Sequence, residues 1–180
     1  RATSCLQESC LLRKTKGSRF VTKEINVHIG EVKIAKNGEI LKTILGSCVG
    51  IGFIWKKKST SGLAHCLLAE SPIKTFNIGG RFVDQAIPSL IALMKIRPED
   101  IPEIEVIVAG GGNMTQPGAR NTEQLVGSNN FMVALRELRK LGIKPVRIDR
   151  AGEEGRKIII NSAESTFEIE SIPRIVDAAS

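Results

Sequence analysis

Cys48 closes an apolar run, Thr43-Ile44-Leu45-Gly46-Ser47-Cys48-Val49-Gly50, and His65, one of two histidines in the 180-residue chain, follows in Gly62-Leu63-Ala64-His65. A thiolate is the nucleophile of cysteine hydrolases, and an imidazole within hydrogen-bond reach is the usual means of making one at neutral pH. The pair points to attack on an acyl carbon, with amide hydrolysis the first chemistry to test. Gly46 permits a tight backbone turn before the cysteine, and main-chain N–H groups at Gly46 and Ser47 can face a developing oxyanion. On spacing alone a blander alternative stays open for each residue. Free cysteine is among the most buried side chains, and a lone histidine in an apolar strand can be a satisfied core residue.

The elements that must position this pair are short and mostly extended. Val27, Ile29, Val32 and Ile34 suggest an extended segment, and Asn37-Gly38 between Ile34 and Ile40 predicts a two-residue hairpin whose return strand delivers Thr43 and Leu45. Val49 to Trp55 and Leu63 to Leu68 are strand-length apolar runs joined by a Lys-rich turn, so a meander of strands is expected to carry both Cys48 and His65. The period then changes: Phe82, Val83, Ala86, Ile87, Leu90, Ile91 and Met94 recur at helical spacing, with Pro88 an awkward interior residue. Ile104 to Ala109 reads as a buried strand running into Gly110-Gly111-Gly112. A second helix is expected from Ser128 or Asn129 to Leu141-Gly142, where glycine caps it. Val146 to Ile148, Lys157 to Ile160 and Thr166 to Ile169 complete the strands. Strands in runs, without strict alternation with helices, predict an α+β fold: a layered sandwich of mixed β-sheets with at least two packed helices.

Composition bounds the function classes. An apolar fraction of 42% and a charged fraction of 25% are ordinary for a globular domain, and no run of eighteen apolar residues could span a bilayer. The N-terminal residues lack a secretory pattern, which makes cytoplasmic the default expectation. Cys5, Cys10, Cys48 and Cys66 show no C-x-x-C spacing, so neither a zinc site nor a disulfide framework is implied. The net charge of +7 is uneven: residues 1–24 carry +4, leaving +3 for the rest. We expect residues 1–24 to be a basic, unstructured extension and residues 25–180 one domain. With six Phe, one Trp and no Tyr, stacking platforms for nucleic acid are scarce. The triplet Lys56-Lys57-Lys58 most simply solvates a turn.

Beyond these residues the chain resembles the CheD family of chemoreceptor glutamine deamidases. The resemblance rests on Thr43-Ile44-Leu45-Gly46-Ser47-Cys48-Val49 followed by Gly62-Leu63-Ala64-His65-Cys66-Leu67-Leu68, similar to that family's T-x-L-G-S-C-V and G-x-A-H-x-x-L segments. It continues through Phe82 to Ile87, Gly110 to Met114, Val126 to Asn130, Leu141-Gly142-Ile143 and Gly152 to Lys157, covering roughly residues 27–170. It implies a cysteine-hydrolase type of fold, with Cys48 as nucleophile, His65 as general base and Thr43 orienting the histidine. The implied reaction converts glutamine side chains on the cytoplasmic helices of chemoreceptors to glutamate with release of ammonia, and needs no metal or organic cofactor. A CheC-type phosphatase of the chemotaxis system is an implied partner. Three positions depart from the family pattern: Gly112 where alanine is frequent, Phe82 where tyrosine is common, and Arg150-Ala151-Gly152 in place of a glycine pair.

Other assignments remain at this point. The chain could be an adaptor that only docks the phosphatase, a cysteine peptidase, or a nucleic-acid binder acting through its basic tail. Cys66 is expected to face the core opposite His65, His28 to be structural or solvated, and Asn113, Asn129 and Asn130 to serve turns or line the cleft.

Overall fold

The computed structural model describes residues 23–73, 75–113 and 126–173. The expectation for the N-terminal extension, and Cys5 and Cys10 with it, falls almost wholly outside them.

Nine strands and two helices form three layers. In chain order they are β1 (Glu24–Asn26), β2 (Val32–Lys36), β3 (Ile40–Leu45), β4 (Val49–Trp55), β5 (Thr60–Cys66), α1 (Val83–Met94), β6 (Ile104–Gly110), α2 (Val126–Lys140), β7 (Arg147–Arg150), β8 (Gly155–Asn161) and β9 (Thr166–Ile172). One sheet has five strands in the order β2-β5-β4-β6-β7, and the other has four in the order β1-β3-β8-β9. Both are mixed: β6 pairs β7 in parallel and β1 pairs β3 in parallel, while the other ladders are antiparallel. The helices cover one face of the larger sheet, and the smaller sheet covers the other. This is the expected α+β sandwich, and among the described residues no helix is long and apolar enough to cross a membrane.

β4 shows how the sequence builds the layers. Successive side chains of a strand point to opposite faces, so Val49, Ile51, Phe53 and Trp55 pack toward the helices with Ile87, Leu90, Phe131 and Leu138. Gly50, Gly52 and Ile54 face the second sheet. A β-carbon on Gly50 would lie 2.6 Å from Ile158 and 2.8 Å from Leu45, and one on Gly52 2.7 Å from both Ile107 and Ile160. The two glycines let the sheets approach closely. In β5 the same alternation sends Ala64 and Cys66 toward the helices and Leu63 toward the second sheet, and the expectation for Cys66 holds.

The hairpin expected at Asn37-Gly38 does not form. Asn37 and Gly38 do adopt positive φ, 52° and 92°, and Glu39 N–H donates to Lys36 O at 3.2 Å. The flanking strands nevertheless part: β2 pairs β5, while β3 pairs β8 over six residues. Turn chemistry acts locally, but partner choice follows burial. Leu41 and Leu45 are buried between the sheets, and Ser162 fixes the corner by donating from both its N–H and its hydroxyl to Glu39 O. The turn is a corner from one layer to the other.

Smaller differences follow. α2 begins at Val126, before the expected Ser128, and α1 runs through Pro88. β5 starts at Thr60 and ends at Cys66. Lys56–Lys58 forms a short 3-10 turn, with Lys56 paired to Glu105 and the Lys58 ammonium 3.8 Å above the Trp55 ring. The triplet caps the strand ends.

Candidate active site

Cys48 lies in the link that carries the chain from β3 in the smaller sheet back to β4 in the larger one. The expected continuous meander is therefore interrupted at the cysteine itself. Two hydrogen bonds hold this link: Gly112 N–H donates to Gly46 O at 3.0 Å and Gly111 N–H to Cys48 O at 2.8 Å. Both donors come from the glycine run that ends β6. Gly110 and Gly111 have φ of 108° and 70°, and a β-carbon on Gly110 would sit 2.3 Å from Cys48 O. Gly111 is packed just as closely from the other side, since a β-carbon there would lie 2.8 Å from Gly127 O in α2. The glycines are structural parts of the site, a role that the sequence reading had not assigned. The available signal was three consecutive glycines directly after a buried strand.

Two of the departures from the family pattern are neighbours here. A β-carbon on Gly112 would lie 3.2 Å from the Ala151 methyl, so the two positions pack against each other.

His65 projects from β5 toward the inter-sheet space, and its register partner in β4 is Gly50. Cys48 belongs to the same inter-sheet cluster, two residues from Gly50, which places nucleophile and imidazole diagonally on one sheet face. Thr43 reaches the histidine from β3: its Oγ1 lies 2.8 Å from His65 Nδ1 and 2.7 Å from Val27 O. A carbonyl only accepts, so the hydroxyl proton goes to Val27 O and Thr43 Oγ1 accepts from His65 Nδ1–H. Val27 O, 3.4 Å from Nδ1, supports the same assignment. The neutral ring therefore carries its proton on Nδ1 and its lone pair on Nε2. That Nε2 is buried and has no hydrogen-bond partner among the described residues.

The site is brought together without a preformed ion pair. Cys48 is 6% and His65 4% exposed, and burial pushes the Cys48 thiol above the usual range while pushing the imidazole below its own. Both groups rest neutral at pH 7. A cavity of ≈ 390 Å³ is lined by His65, Thr43, Val27, His28, Ile29, Lys42, Ile44 and Lys157, with Cys48 outside that lining. Thr43 and His65 are in direct contact, while Cys48 lies on the same sheet face without a hydrogen bond to the Nε2 of His65. Gly46 engages the glycine run through its carbonyl, and because a trans peptide turns its N–H opposite to its C=O, the Ser47 N–H faces away from Gly112. Asn130, expected to serve a turn or line the cleft, lies in α2 and donates from Nδ2 to Leu67 O at 2.8 Å, tying α2 to the segment just after His65. Asn129 is an exposed residue of the same helix. His28 is exposed on the cavity rim. Among the described residues no three His, Cys, Asp or Glu side chains converge as a metal site would require.

These shifts set a pH window for stability. His65 titrates below its ordinary 6.5 in the folded protein, so as pH falls through that value the unfolded chain binds the proton first and stability declines. Cys48 titrates above its ordinary 9.0, so as pH rises past that value the unfolded chain loses its proton first and stability declines again. Shifted carboxylates such as Glu39 act only near and below their ordinary 4.5. We expect the urea midpoint to be highest between the two limits. His65→Asn should flatten the decline on the acidic side between 6.5 and 4.5, and an unchanged decline would mean that another group causes it.

Residues 67–171, which begin just after His65 and so exclude Thr43, Cys48 and His65, match the family model described as CheD chemotactic sensory transduction. The chain is 40% identical over 168 residues to the "Probable chemoreceptor glutamine deamidase CheD 2" of Ruegeria sp. (strain TM1040), covering 84% of this chain and 94% of the relative. It is 38% identical over 151 residues to the "Probable chemoreceptor glutamine deamidase CheD" of Bdellovibrio bacteriovorus, covering 84% and 96%. Coverage of 84% takes in residues 43–65 wherever the alignment begins. A solved structure, the Bacillus licheniformis hypothetical protein YfiH, superposes with a TM-score of 0.41 at 13% identity over 67% of this chain and 50% of that one. A likeness that faint carries no argument.

Proposed function

The chain belongs to the CheD family, and on that premise we propose that it is a chemoreceptor glutamine deamidase, a hydrolase of side-chain amides, with Cys48 as its nucleophile. The observation that carries the assignment of roles is the proton chain from His65 Nδ1 to Thr43 Oγ1 to Val27 O, which leaves a bare, buried Nε2 on the face that Cys48 shares.

The chemistry then runs in two halves. As the substrate carboxamide enters, His65 Nε2 takes the Cys48 thiol proton and Sγ attacks the glutamine Cδ, giving a tetrahedral oxyanion. The N–H groups of Gly46 and Ser47 are the donors we assign to that oxyanion, a contribution of about 2.7–4 kcal/mol per donor in comparable hydrolases. His65 returns the proton to the departing nitrogen, ammonia leaves, and a thioester remains. Water, deprotonated by the same Nε2, attacks the thioester carbon, and the proton passes to Sγ as glutamate is released. Thr43 keeps the imidazole in the tautomer that both halves need. Because each resting group is neutral, the proton moves only when the acyl carbon is in place, which limits reaction of the thiol with other electrophiles.

The substrate follows from the family: glutamines on the cytoplasmic signalling helices of chemoreceptors, with the reaction in the cytoplasm. A CheC-type phosphatase fits the same setting as a regulatory partner. We take residues 25–180 as the deamidase domain and residues 1–24 as a basic extension to it. Incubation of a purified receptor cytoplasmic fragment with the protein should give glutamine-to-glutamate conversion by peptide mass spectrometry, with ammonia released in equal amount. No conversion, together with tight binding to such a phosphatase, would replace the enzyme with an adaptor.

A further inference from the structure

Among the described residues the helix layer leaves one strand of the larger sheet uncovered. α1 packs over β5 and β2, and α2 over β4 and β6, but no described helix lies over β7, the edge strand beyond β6. The residues of β7 show which face is bare. Ile148 is in register with Val108, and Val108 points into the core beneath the helices, so Ile148 points the same way. It is nonetheless 48% exposed, and Val146, just before β7 and bonded through its N–H to Val106 O, is 56% exposed. Arg150, two residues along on that face, does meet α2: it donates to Ser128 Oγ at 2.9 Å and lies over the Phe131 ring. The vacancy therefore begins just past the α2 N-terminal turn and runs beside its C-terminal half.

Its walls are apolar with basic edges. A cavity of ≈ 440 Å³ there is lined by Leu135 and Arg139 of α2, by Gly142, Ile143, Lys144 and Pro145 of the connection, and by Ile148. A second cavity of ≈ 310 Å³ continues it along α2 past Met132, sharing Leu135 and Arg139. The charges differ in kind from those nearby. Arg136, which lines the second cavity, and Lys140 and Arg147 each have a carboxylate partner, whereas Arg139 and Lys144, the cations that line the first cavity, have no ion pair among the described residues.

We propose that this vacancy is a docking slot for one amphipathic helix of a partner protein, a helix that carries carboxylates along both margins of its apolar stripe. Such a helix would lie beside α2 at the usual interhelical spacing of about 8–10 Å, put apolar residues at i, i+3 or i+4, and i+7 on Leu135, Pro145 and Ile148, and bring its carboxylates to Arg139 and Lys144. The chain's own residues 1–22 suit the slot poorly, because they carry Arg1, Arg13, Lys14, Lys16 and Arg19 against Glu8 alone. The slot does not depend on the reaction assigned to Cys48.

The test uses two fluorescent helical peptides of about 20 residues with the same leucine stripe, one flanked by glutamate and one by lysine. Anisotropy titration should show saturable binding of the glutamate peptide and binding at least about ten-fold weaker for the lysine peptide. Arg139→Glu with Lys144→Glu should reverse that preference. Ile148→Glu should abolish binding without moving the thermal midpoint, because the position is exposed. Hydrogen exchange should show protection along α2 and residues 142–148 together. Equal binding of both peptides, no saturable binding, protection of β7 amides alone by an extended peptide, or a self-association of the chain that Ile148→Glu removes would each overturn the proposal.

Discussion

Cys48→Ala should eliminate glutamine conversion, with turnover down by at least about 10⁴-fold, because removing a nucleophile costs nearly as much as removing the whole constellation that serves it. The fold should tolerate the change. Only Sγ is lost, the residue stays small and apolar, and the bonds that hold its carbonyl and that of Gly46 come from the backbone. His65→Gln should cost about 10²–10⁴-fold, the usual range for a general acid–base group. Thr43→Val separates positioning from chemistry: it removes both the acceptor for Nδ1–H and the donor to Val27 O, and should lower kcat more than it changes KM, while Thr43→Ser restores most of the rate. The rate should fall on the acid side with an apparent pKa below the ordinary 6.5 of imidazole, since burial favours the neutral ring, and Thr43→Val should move that limb. If Cys48→Ala still releases ammonia from receptor fragments, the nucleophile lies elsewhere. If Thr43→Val leaves both kcat and the limb unchanged, the threonine only fills space.

Much of this was legible in the sequence, for reasons particular to each element. β4 and β6 announce themselves because both of their faces are buried along most of their length, so Val49 to Trp55 and Val106 to Ala109 read as unbroken apolar runs. α2 ends where Gly142, at φ 71°, lets Ile143 N–H reach back to Leu138 O at 3.0 Å, and a glycine after a periodic run says as much in advance. Thr43, Cys48 and His65 were singled out because their motif is specific, and the structure brings Thr43 and His65 into contact. What escaped was non-local. Asn37-Gly38 specifies its own dihedral angles but not that β2 and β3 enter different sheets. Asn130 falls inside the expected second helix, but that its amide answers Leu67 O across 63 residues of chain could not be read locally. The bare face of β7 has no counterpart in its sequence, since Ile148 would read the same way with a helix above it.

The glycine run after β6 gives the second large effect, and it tests whether the link carrying Cys48 must be held from behind. Gly110→Ala adds a methyl at φ 108°, a region that L residues rarely adopt, and directs it to 2.3 Å from Cys48 O. The obstacle is backbone, so no side-chain rotation relieves it. Either the Cys48 carbonyl moves, breaking its bond from Gly111 N–H, or β6 shifts against β4, where Gly110 pairs with Val49. We expect a loss of about 3–5 kcal/mol of stability by urea unfolding, and in the fraction that remains folded a fall in kcat of about ten-fold or more, since a nucleophile displaced by an ångström loses much of its rate. Gly142→Ala is the matched control. It has positive φ too, 71°, but nothing lies within 4 Å of the added carbon, so it should cost only the backbone strain of about 1–2 kcal/mol and leave kcat as it was. Equal losses of stability and rate in the two variants would mean that dihedral strain alone is at work. An excess confined to Gly110→Ala would tie the geometry of the nucleophile to the β6 glycines, because the two substitutions share the sign of φ and differ in what the new methyl meets.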